Sequence, residues 1–206
     1  DVNAKANNGF TALMAASGKG QKEMAGFLIS KGARINVMTD FGFTPLKSAV
    51  YDGHKEVVEF LISKGAIINS KDLNHSDILM IALQRGHKDV AILLISKGAD
   101  VNTTRGDGTP LTEALEKGFI EVAELLVAKG LDINIKKYGI PLLYDYIRFG
   151  KRDEAVKFLV SKGADIKTKD KNGMDALMHA SARGNKDIAE FLISKGADVN
   201  AKKTNG

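Results

Sequence analysis

The chain has 206 residues, with 30 basic and 25 acidic side chains for a formal net charge of +5, and it has no cysteine. The lack of cysteine excludes disulfides, thiolate zinc sites and cysteine nucleophiles. No apolar run approaches the roughly 18 residues that a membrane-spanning helix needs, so the sequence predicts no membrane span.

A Lys-Gly pair recurs along the chain at a nearly constant interval. The intervals between its glycines are 33, 33, 32, 33 and 33 residues, and the glycines are Gly32, Gly65, Gly98, Gly130, Gly163 and Gly196. Apolar residues precede each pair at helical spacing, lysine complements the negative end of a helix dipole, and glycine tolerates the left-handed conformation that ends a helix. A fixed period of this length indicates a stacked repeat array, with a helix ending at each Lys-Gly pair.

A shorter helix is predicted before each of these helices. Thr44-Pro45 and Thr109-Pro110 open two of them, because threonine can cap the first turn and proline is tolerated at the first helical position. We therefore expect helix pairs at about residues 11–31, 44–64, 77–97, 109–129, 141–162 and 175–195, followed by a truncated loop at 200–206.

The segments 44–49 and 109–114, the Gly53-His54 step and the Gly-Ala-Asp-Val-Asn endings together resemble the ankyrin repeat. The resemblance covers essentially the whole chain and implies an all-α solenoid of about six stacked helix–turn–helix units with β-hairpin finger loops. It also implies one repeat domain over residues 1–206, taken from a longer array. The usual role of this family is non-catalytic binding of proteins on the concave face made by the fingers and the first helices.

The chain departs from the family pattern at the histidine of the Thr-Pro-Leu-His motif. The residues at that position are Met14, Lys47, Met80, Thr112, Tyr144 and Met178. We expect the hydrogen bonds that this histidine makes between repeats in the family to be absent, with methionine substituting adaptable apolar packing.

Repeat five departs furthest from the regular pattern. One residue is missing before repeat four, another is missing near residues 135–139, and one is inserted after Gly150. Tyr146 stands where the other repeats have alanine, and a bulky residue at a close-packed step costs stability unless the backbone moves away. We predict a local change in stacking angle around residues 135–158.

The four histidines point to structure rather than chemistry. The resemblance gives His54 and His87 a structural role after the turn glycine. His75 and His179 have no His, Asp or Glu partner at the helical spacing of metal ligands. We expect no catalytic constellation, no metal and no cofactor, and hence no enzyme.

A mostly basic column precedes the turn glycines, and the resemblance places it on the concave face. It comprises Lys19, Asp52, Arg85, Lys117, Phe149 and Arg183, with Arg148 beside it. Such a stripe would attract acidic partners; the alternative is a set of solvated helix ends whose cations complement the dipole.

Aromatic residues accompany this column, and exposed aromatics often anchor interfaces. Phe10, Phe43, Ile140 and Met174 are expected to pack between fingers, whereas Tyr51, Tyr138 and Phe149 are expected to contact a partner. The candidate partner-binding residues are therefore Lys19, Tyr51, Arg85, Lys117, Tyr138, Arg148, Phe149 and Arg183.

Three functions are compatible with these patterns. The first is a protein-binding scaffold with an acidic partner. The second is binding of single-stranded nucleic acid or an anionic ligand on the same face, which the interspersed Asp52, Glu113 and Glu116 make unlikely. The third is a structural spacer in a larger protein. We expect a monomer, and end-to-end stacking stays open.

Overall fold

The computed structural model describes residues 1–69, 77–104, 106, 108–137, 139–150 and 152–203. Within these residues the chain forms twelve α-helices in six consecutive pairs, which we number as repeats one to six. The pairs are α1 (Ala12–Gly18) with α2 (Lys22–Ser30), α3 (Pro45–Tyr51) with α4 (Lys55–Ser63), α5 (Ile78–Arg85) with α6 (Lys88–Ser96), α7 (Pro110–Lys117) with α8 (Ile120–Ala128), α9 (Leu142–Phe149) with α10 (Asp153–Ser161), and α11 (Ala176–Ala182) with α12 (Lys186–Ser194). The predicted all-α repeat fold is confirmed.

The first helices begin at side-chain caps, as the sequence indicates. Thr44 Oγ1 accepts from the Lys47 N–H at 3.1 Å, with Pro45 at the first helical position. Asp175 caps α11 in the same way through the Met178 N–H, at 2.9 Å. A cap of this kind contributes about 1 kcal/mol, because it satisfies a first-turn donor that has no partner within the helix.

The second helices end at the Lys-Gly pairs. The six glycines of these pairs have φ between 87° and 92°, a left-handed conformation that glycine adopts without a Cβ clash. The residue after each glycine then donates to the carbonyl five residues earlier, as Ala33 does to Leu28 at 3.0 Å. This bond satisfies a carbonyl of the last turn that has no partner within the helix.

The chain folds into two compact units, residues 1–113 and 114–206, with the boundary inside α7. In the N-terminal unit α1 packs on α3 and α3 on α5, and in the C-terminal unit α9 packs on α11. The prediction of a single domain stays a prediction.

The core of each unit combines leucines with small residues. Leu46 and Ala49 are buried in α3, and burial of a leucine side chain contributes about 1.5–3 kcal/mol. In α9 the alanine position holds Tyr146, which is only 1% exposed. The first helices therefore pack through small side chains in the N-terminal unit, and through a buried aromatic ring in repeat five.

Where the structure describes them, the loops between repeats form the predicted fingers, and the loop before repeat five contains regular β-structure. Strand β1 (Lys136–Lys137) pairs antiparallel with β2 (Ile140–Pro141) just before α9. No helix of the described residues is long and apolar enough to cross a membrane.

Repeat five has an irregular turn between its helices. Helix α10 begins three residues after Gly150, whereas every other second helix begins two residues after its turn glycine. Arg152 precedes α10 with φ of 31°, the one positive value among the described non-glycine residues. The inserted residue thus lies where the sequence indicates, and the predicted change in stacking angle stays a prediction.

Candidate functional site

The predicted site begins at the ends of the first helices, where histidines connect neighbouring repeats. His54 Nε2 lies 3.0 Å from the Gly18 carbonyl, and His87 Nε2 lies 3.0 Å from the Tyr51 carbonyl. Each ring therefore bonds a last-turn carbonyl of the preceding repeat that has no partner within its own helix. The structural role predicted for His54 and His87 is confirmed.

Two arginines of the basic column also join repeats. Arg85 Nε donates to the Tyr51 carbonyl at 3.3 Å, and its guanidinium carbon lies 3.9 Å from the centre of the Tyr51 ring. Arg183 Nη1 donates to the Arg148 carbonyl at 3.0 Å. Both side chains place a cation at the negative end of the preceding first helix. Each arginine uses only some of its five N–H donors in these contacts, and both side chains remain exposed.

The other cations of the basic column are exposed and make fewer contacts with the described residues. Lys19 and Lys117 are exposed, and neither ammonium group makes a hydrogen bond or an ion pair with the described residues. Arg148 is exposed as well, and its guanidinium carbon lies 5.6 Å from the centre of the Phe149 ring. Phe149 is 56% exposed. These positions have the properties expected of contact residues.

The structure groups the candidate residues within each unit. Lys19 and Tyr51 line one cavity, and Arg85 stacks on Tyr51; these three residues form the N-terminal cluster. Arg148, Phe149 and Arg183 form the C-terminal cluster, while Lys117 lies by itself at the end of α7. Tyr138 lies outside the described residues.

The cavity beside the N-terminal cluster is aromatic. It has a volume of about 250 Å³ and is lined by Phe10, Phe43 and Tyr51 among others. The Phe43 and Tyr51 rings meet edge to face with their centres 5.8 Å apart. Phe43 is half-buried, whereas Phe10, which was also expected to pack between fingers, is 37% exposed. Ile140 and Met174 are half-buried like Phe43.

A second cavity lies between the loops before repeats five and six. Its volume is about 310 Å³. At its base the Tyr144 hydroxyl donates to the Thr168 carbonyl, and His179 Nε2 lies 3.1 Å from Asp170 Oδ2. The rings of Tyr144 and His179 lie 5.6 Å apart. We call these four residues the finger base.

The finger base corrects one expectation from the sequence. Hydrogen bonds between repeats are predicted to be absent at the position of the family histidine, yet Tyr144 makes one, because its hydroxyl reaches the next finger. His179, which has no acidic partner at the helical spacing of metal ligands, contacts Asp170 of the preceding loop, nine residues earlier. Neither contact can be read from sequence separation, because the loop conformation creates both. No group of three or more His, Asp or Glu side chains in the described residues could hold a metal ion, and His75 lies outside those residues.

Two groups of the finger base have a shifted pKa, Tyr144 and Asp170. Burial, together with the nearby carboxylates of Asp165, Asp175 and Asp170, raises the pKa of Tyr144, so its hydroxyl stays a donor. Burial alone would raise the pKa of Asp170. The N–H groups of Met174 and Asn172, together with His179, outweigh that effect and lower the pKa. Asp170 is therefore a carboxylate near neutral pH.

Asparagines at the repeat period also join the repeats, and we call them the asparagine ladder. The sequence patterns predict no role for them. Asn36 donates through Nδ2 to the Gly65 carbonyl at 3.0 Å and accepts from the Ile67 N–H at 3.0 Å. Asn3 and Asn69 make equivalent pairs of bonds in the N-terminal unit, and in the C-terminal unit Asn134 accepts from Asp165. The sequence signal that could have predicted this ladder is the recurrence of asparagine at the repeat period.

Comparison with known proteins identifies the repeat. A family model described as ankyrin repeats (3 copies) matches residues 1–72, 68–137 and 141–204. No curated protein matches the chain. One similar structure is the Bd0816 predatory endopeptidase from Bdellovibrio bacteriovorus in complex with the immunity protein Bd3460. The matching chain is 28% identical with a TM-score of 0.73, over 93% of this chain and 100% of that one.

A second similar structure supports the fold alone. It is the human ASB11 ankyrin repeat domain, which is 24% identical with a TM-score of 0.74, over 96% of this chain and 88% of that one.

Proposed function

The chain belongs to the ankyrin repeat family, whose repeats are protein–protein interaction modules, and we propose that it is a non-catalytic scaffold for an acidic protein partner. The partner would dock on the face that carries the first-helix ends and the loops. Cations on this face would accelerate association and select against basic partners. One structural neighbour comes from a complex of two proteins, which supports partner binding in general.

The observation that carries this proposal is the state of Lys19, Lys117 and Arg148. All three are exposed, and their charged groups make no ion pair with the described residues. The C-terminal cluster adds Phe149, a large apolar ring that is 56% exposed. Arg148 lies beside this exposed ring, and arginine together with aromatic residues is typical of interface anchors.

Nucleic-acid binding is the alternative for the same face, and it would need open aromatic faces for base stacking. Arg85 covers one face of Tyr51, and Phe43 contacts the same ring. Arg148 likewise lies over the Phe149 ring, 5.6 Å from its centre. Because cations already contact both described aromatic candidates, a protein partner is favoured.

The test compares two variants of equal net charge. One carries Lys19→Glu, Lys117→Glu and Arg148→Glu; the control carries Lys22→Glu, Lys55→Glu and Lys157→Glu on the second helices. Fluorescence anisotropy would measure binding of an array of labelled acidic, neutral and basic peptides and of a single-stranded oligothymidine.

We expect acidic peptides to bind the wild type and the control, and not the first variant. The melting temperature should change little, because none of the three replaced charged groups makes a hydrogen bond to a described residue. Equal loss in both variants, or preferential binding of the oligothymidine, would contradict the proposal.

A further inference from the structure

We propose that the cavity between the loops before repeats five and six is a recognition pocket for a carboxylate side chain of the partner. This inference rests on the proposed function and makes it specific, because it names one anchoring site and the chemical group that enters it. The pocket lies wholly within the C-terminal unit, between β2, α9 and the loop that precedes α11.

The rim of the pocket is cationic. Lys136, Arg148, Lys169 and Lys171 line it. The charged groups of Lys136, Arg148 and Lys171 make no hydrogen bond or ion pair with the described residues, whereas Lys169 Nζ donates to the Lys202 carbonyl. At least three positive charges therefore face the cavity without a counter-ion among the described residues.

The one carboxylate among the described lining residues does not neutralise this rim. Asp170 accepts from the Asn172 N–H at 2.8 Å and the Met174 N–H at 3.0 Å through Oδ1, and contacts His179 through Oδ2. Its side chain is only 10% exposed. Because local donors occupy this carboxylate, the potential at the mouth of the pocket is set by the cations.

The floor of the pocket is rigid. Tyr144 is fully buried and tied to Thr168, and the buried His179 is tied to Asp170. A floor held by two side-chain hydrogen bonds keeps the pocket open before a ligand arrives, so little conformational entropy is lost on binding.

The size and the wall chemistry fit a side chain of a peptide. A volume of about 310 Å³ lies at the lower end of the range in which proteins bind small ligands. Ile140 and Pro141 line one wall and would contact the methylene groups of an aspartate or glutamate. Arg148 at the rim would receive the carboxylate, since guanidinium and carboxylate match in bidentate geometry.

The corresponding cavity in the N-terminal unit lacks these features. Phe10, Met14, Phe43 and Tyr51 line the cavity between repeats one and two, and its charged lining residues are one cation, Lys19, and one carboxylate, Asp52. The charged residues that line the C-terminal pocket therefore carry a net positive charge, whereas those that line the N-terminal cavity balance each other.

The experiment is an NMR titration of the ¹⁵N-labelled chain with the peptide acetyl-Gly-Glu-Glu-Gly-amide and with its glutamine analogue. We expect shifts confined to the amides that border the pocket, such as Ile140, Thr168 and Lys171, with the glutamate peptide alone. Shifts spread over all basic surfaces, or equal shifts with the glutamine peptide, would overturn the inference. Inorganic phosphate and acetate form a further arm. If either gives the same shifts at equal or lower concentration, the pocket serves free anions and the inference is wrong.

Two charge-reversal variants test whether binding of the glutamate peptide depends on the cations that line the pocket. Lys136→Glu with Lys171→Glu should weaken binding of the glutamate peptide about tenfold or more, since reversing charges at a contact turns attraction into repulsion. Lys55→Glu with Lys157→Glu changes net charge equally and should preserve the affinity. Equal affinity in the two variants would refute the pocket. The proposed function would survive that result, because two of the three cations that its own test reverses, Lys19 and Lys117, do not line this pocket.

Discussion

The two compact units cover the same turn with different side chains. In the N-terminal unit the histidine rings of the following repeats lie over Gly20 and Gly53, where an added Cβ would come within 2.7 Å and 2.5 Å of Nδ1 of His54 and His87. In the C-terminal unit arginines take this place, with Arg152 over Gly118 and Arg183 over Gly150. A histidine joins the repeats through a rigid ring, whereas an arginine does so through a flexible chain that carries a permanent charge. At Gly150 the exchange therefore keeps a hydrogen bond to the preceding repeat, from Arg183 to the Arg148 carbonyl, and both arginines add positive charge.

The finger loops differ in the same manner. Thr39 Oγ1 accepts from the Phe43 N–H at 3.0 Å before repeat two, and Asp170 Oδ1 accepts from the Met174 N–H at 3.0 Å before repeat six. The backbone bonds around these residues are also equivalent. One loop is thus closed by a neutral side chain, and the other by a charged side chain that is paired with a histidine.

The largest difference between the units should follow from alanine at the turn glycines. Both Gly53 and Gly150 have positive φ, at 80° and 63°, so alanine costs about 1–2 kcal/mol at either site. Gly53→Ala must also displace the His87 ring and its hydrogen bond, worth about 1 kcal/mol, whereas the Arg183 side chain can move aside. We expect a loss in the free energy of unfolding of about 2–3 kcal/mol for Gly53→Ala and about 1–2 kcal/mol for Gly150→Ala, measured by urea denaturation. An equal or larger loss for Gly150→Ala would remove the distinction.

The second prediction concerns the loss of folding stability at acidic pH. The folded protein holds the pKa of Asp170 below its usual value. Its stabilising effect is therefore fully present above the unfolded pKa of about 3.9, and is lost as the pH falls through the folded value. Asp170→Thr, which copies Thr39, should flatten the loss of stability between about pH 4 and pH 2. Urea midpoints across that range would measure it.

Asp40→Thr removes one exposed carboxylate from the loop of the other unit and is the control for net charge. If Asp170→Thr and Asp40→Thr give the same acid profile as each other, Asp170 is not the source of the pH dependence.

The smallest predicted effect is a gain in stability. Lys167 occupies the position that the ladder asparagines hold in the other rungs, 33 residues after Asn134. By the geometry of Asn36, an asparagine at 167 would donate to the Gly196 carbonyl and accept from the Asp198 N–H. We expect Lys167→Asn to stabilise the protein by about 0.5–1 kcal/mol, with slower hydrogen exchange at Asp198. Lys167→Ala should show neither change, and a matching gain there would exclude the new rung.

Most of the fold could be predicted because its signals are local and repeated. Caps such as Thr44 and helix ends such as Lys31-Gly32 act within one turn of helix. The period near 33 residues then indicates that successive helix pairs stack on one another. The roles of His54 and His87 were available from their position after the turn glycine.

The candidate site was harder to predict because side chains of one repeat act on the backbone of another. Arg85 and Arg183 read as contact or solvated residues in the sequence, and in the structure they bond the carbonyls of the preceding repeat. Whether a long side chain points to solvent or to a neighbouring carbonyl depends on the distance between repeats, which the residue types do not encode.

The sequence alone determined the six helix pairs, their ends and the irregular turn of repeat five, since backbone conformation there follows from residues a few positions apart. Tertiary structure decided which cations lack a partner among the described residues. It also brought the Tyr144 hydroxyl and the His179–Asp170 pair together at a pocket lined by cations. Electrostatic environment depends on distances through space between residues that are far apart in the chain, and those distances exist only once the repeats have stacked.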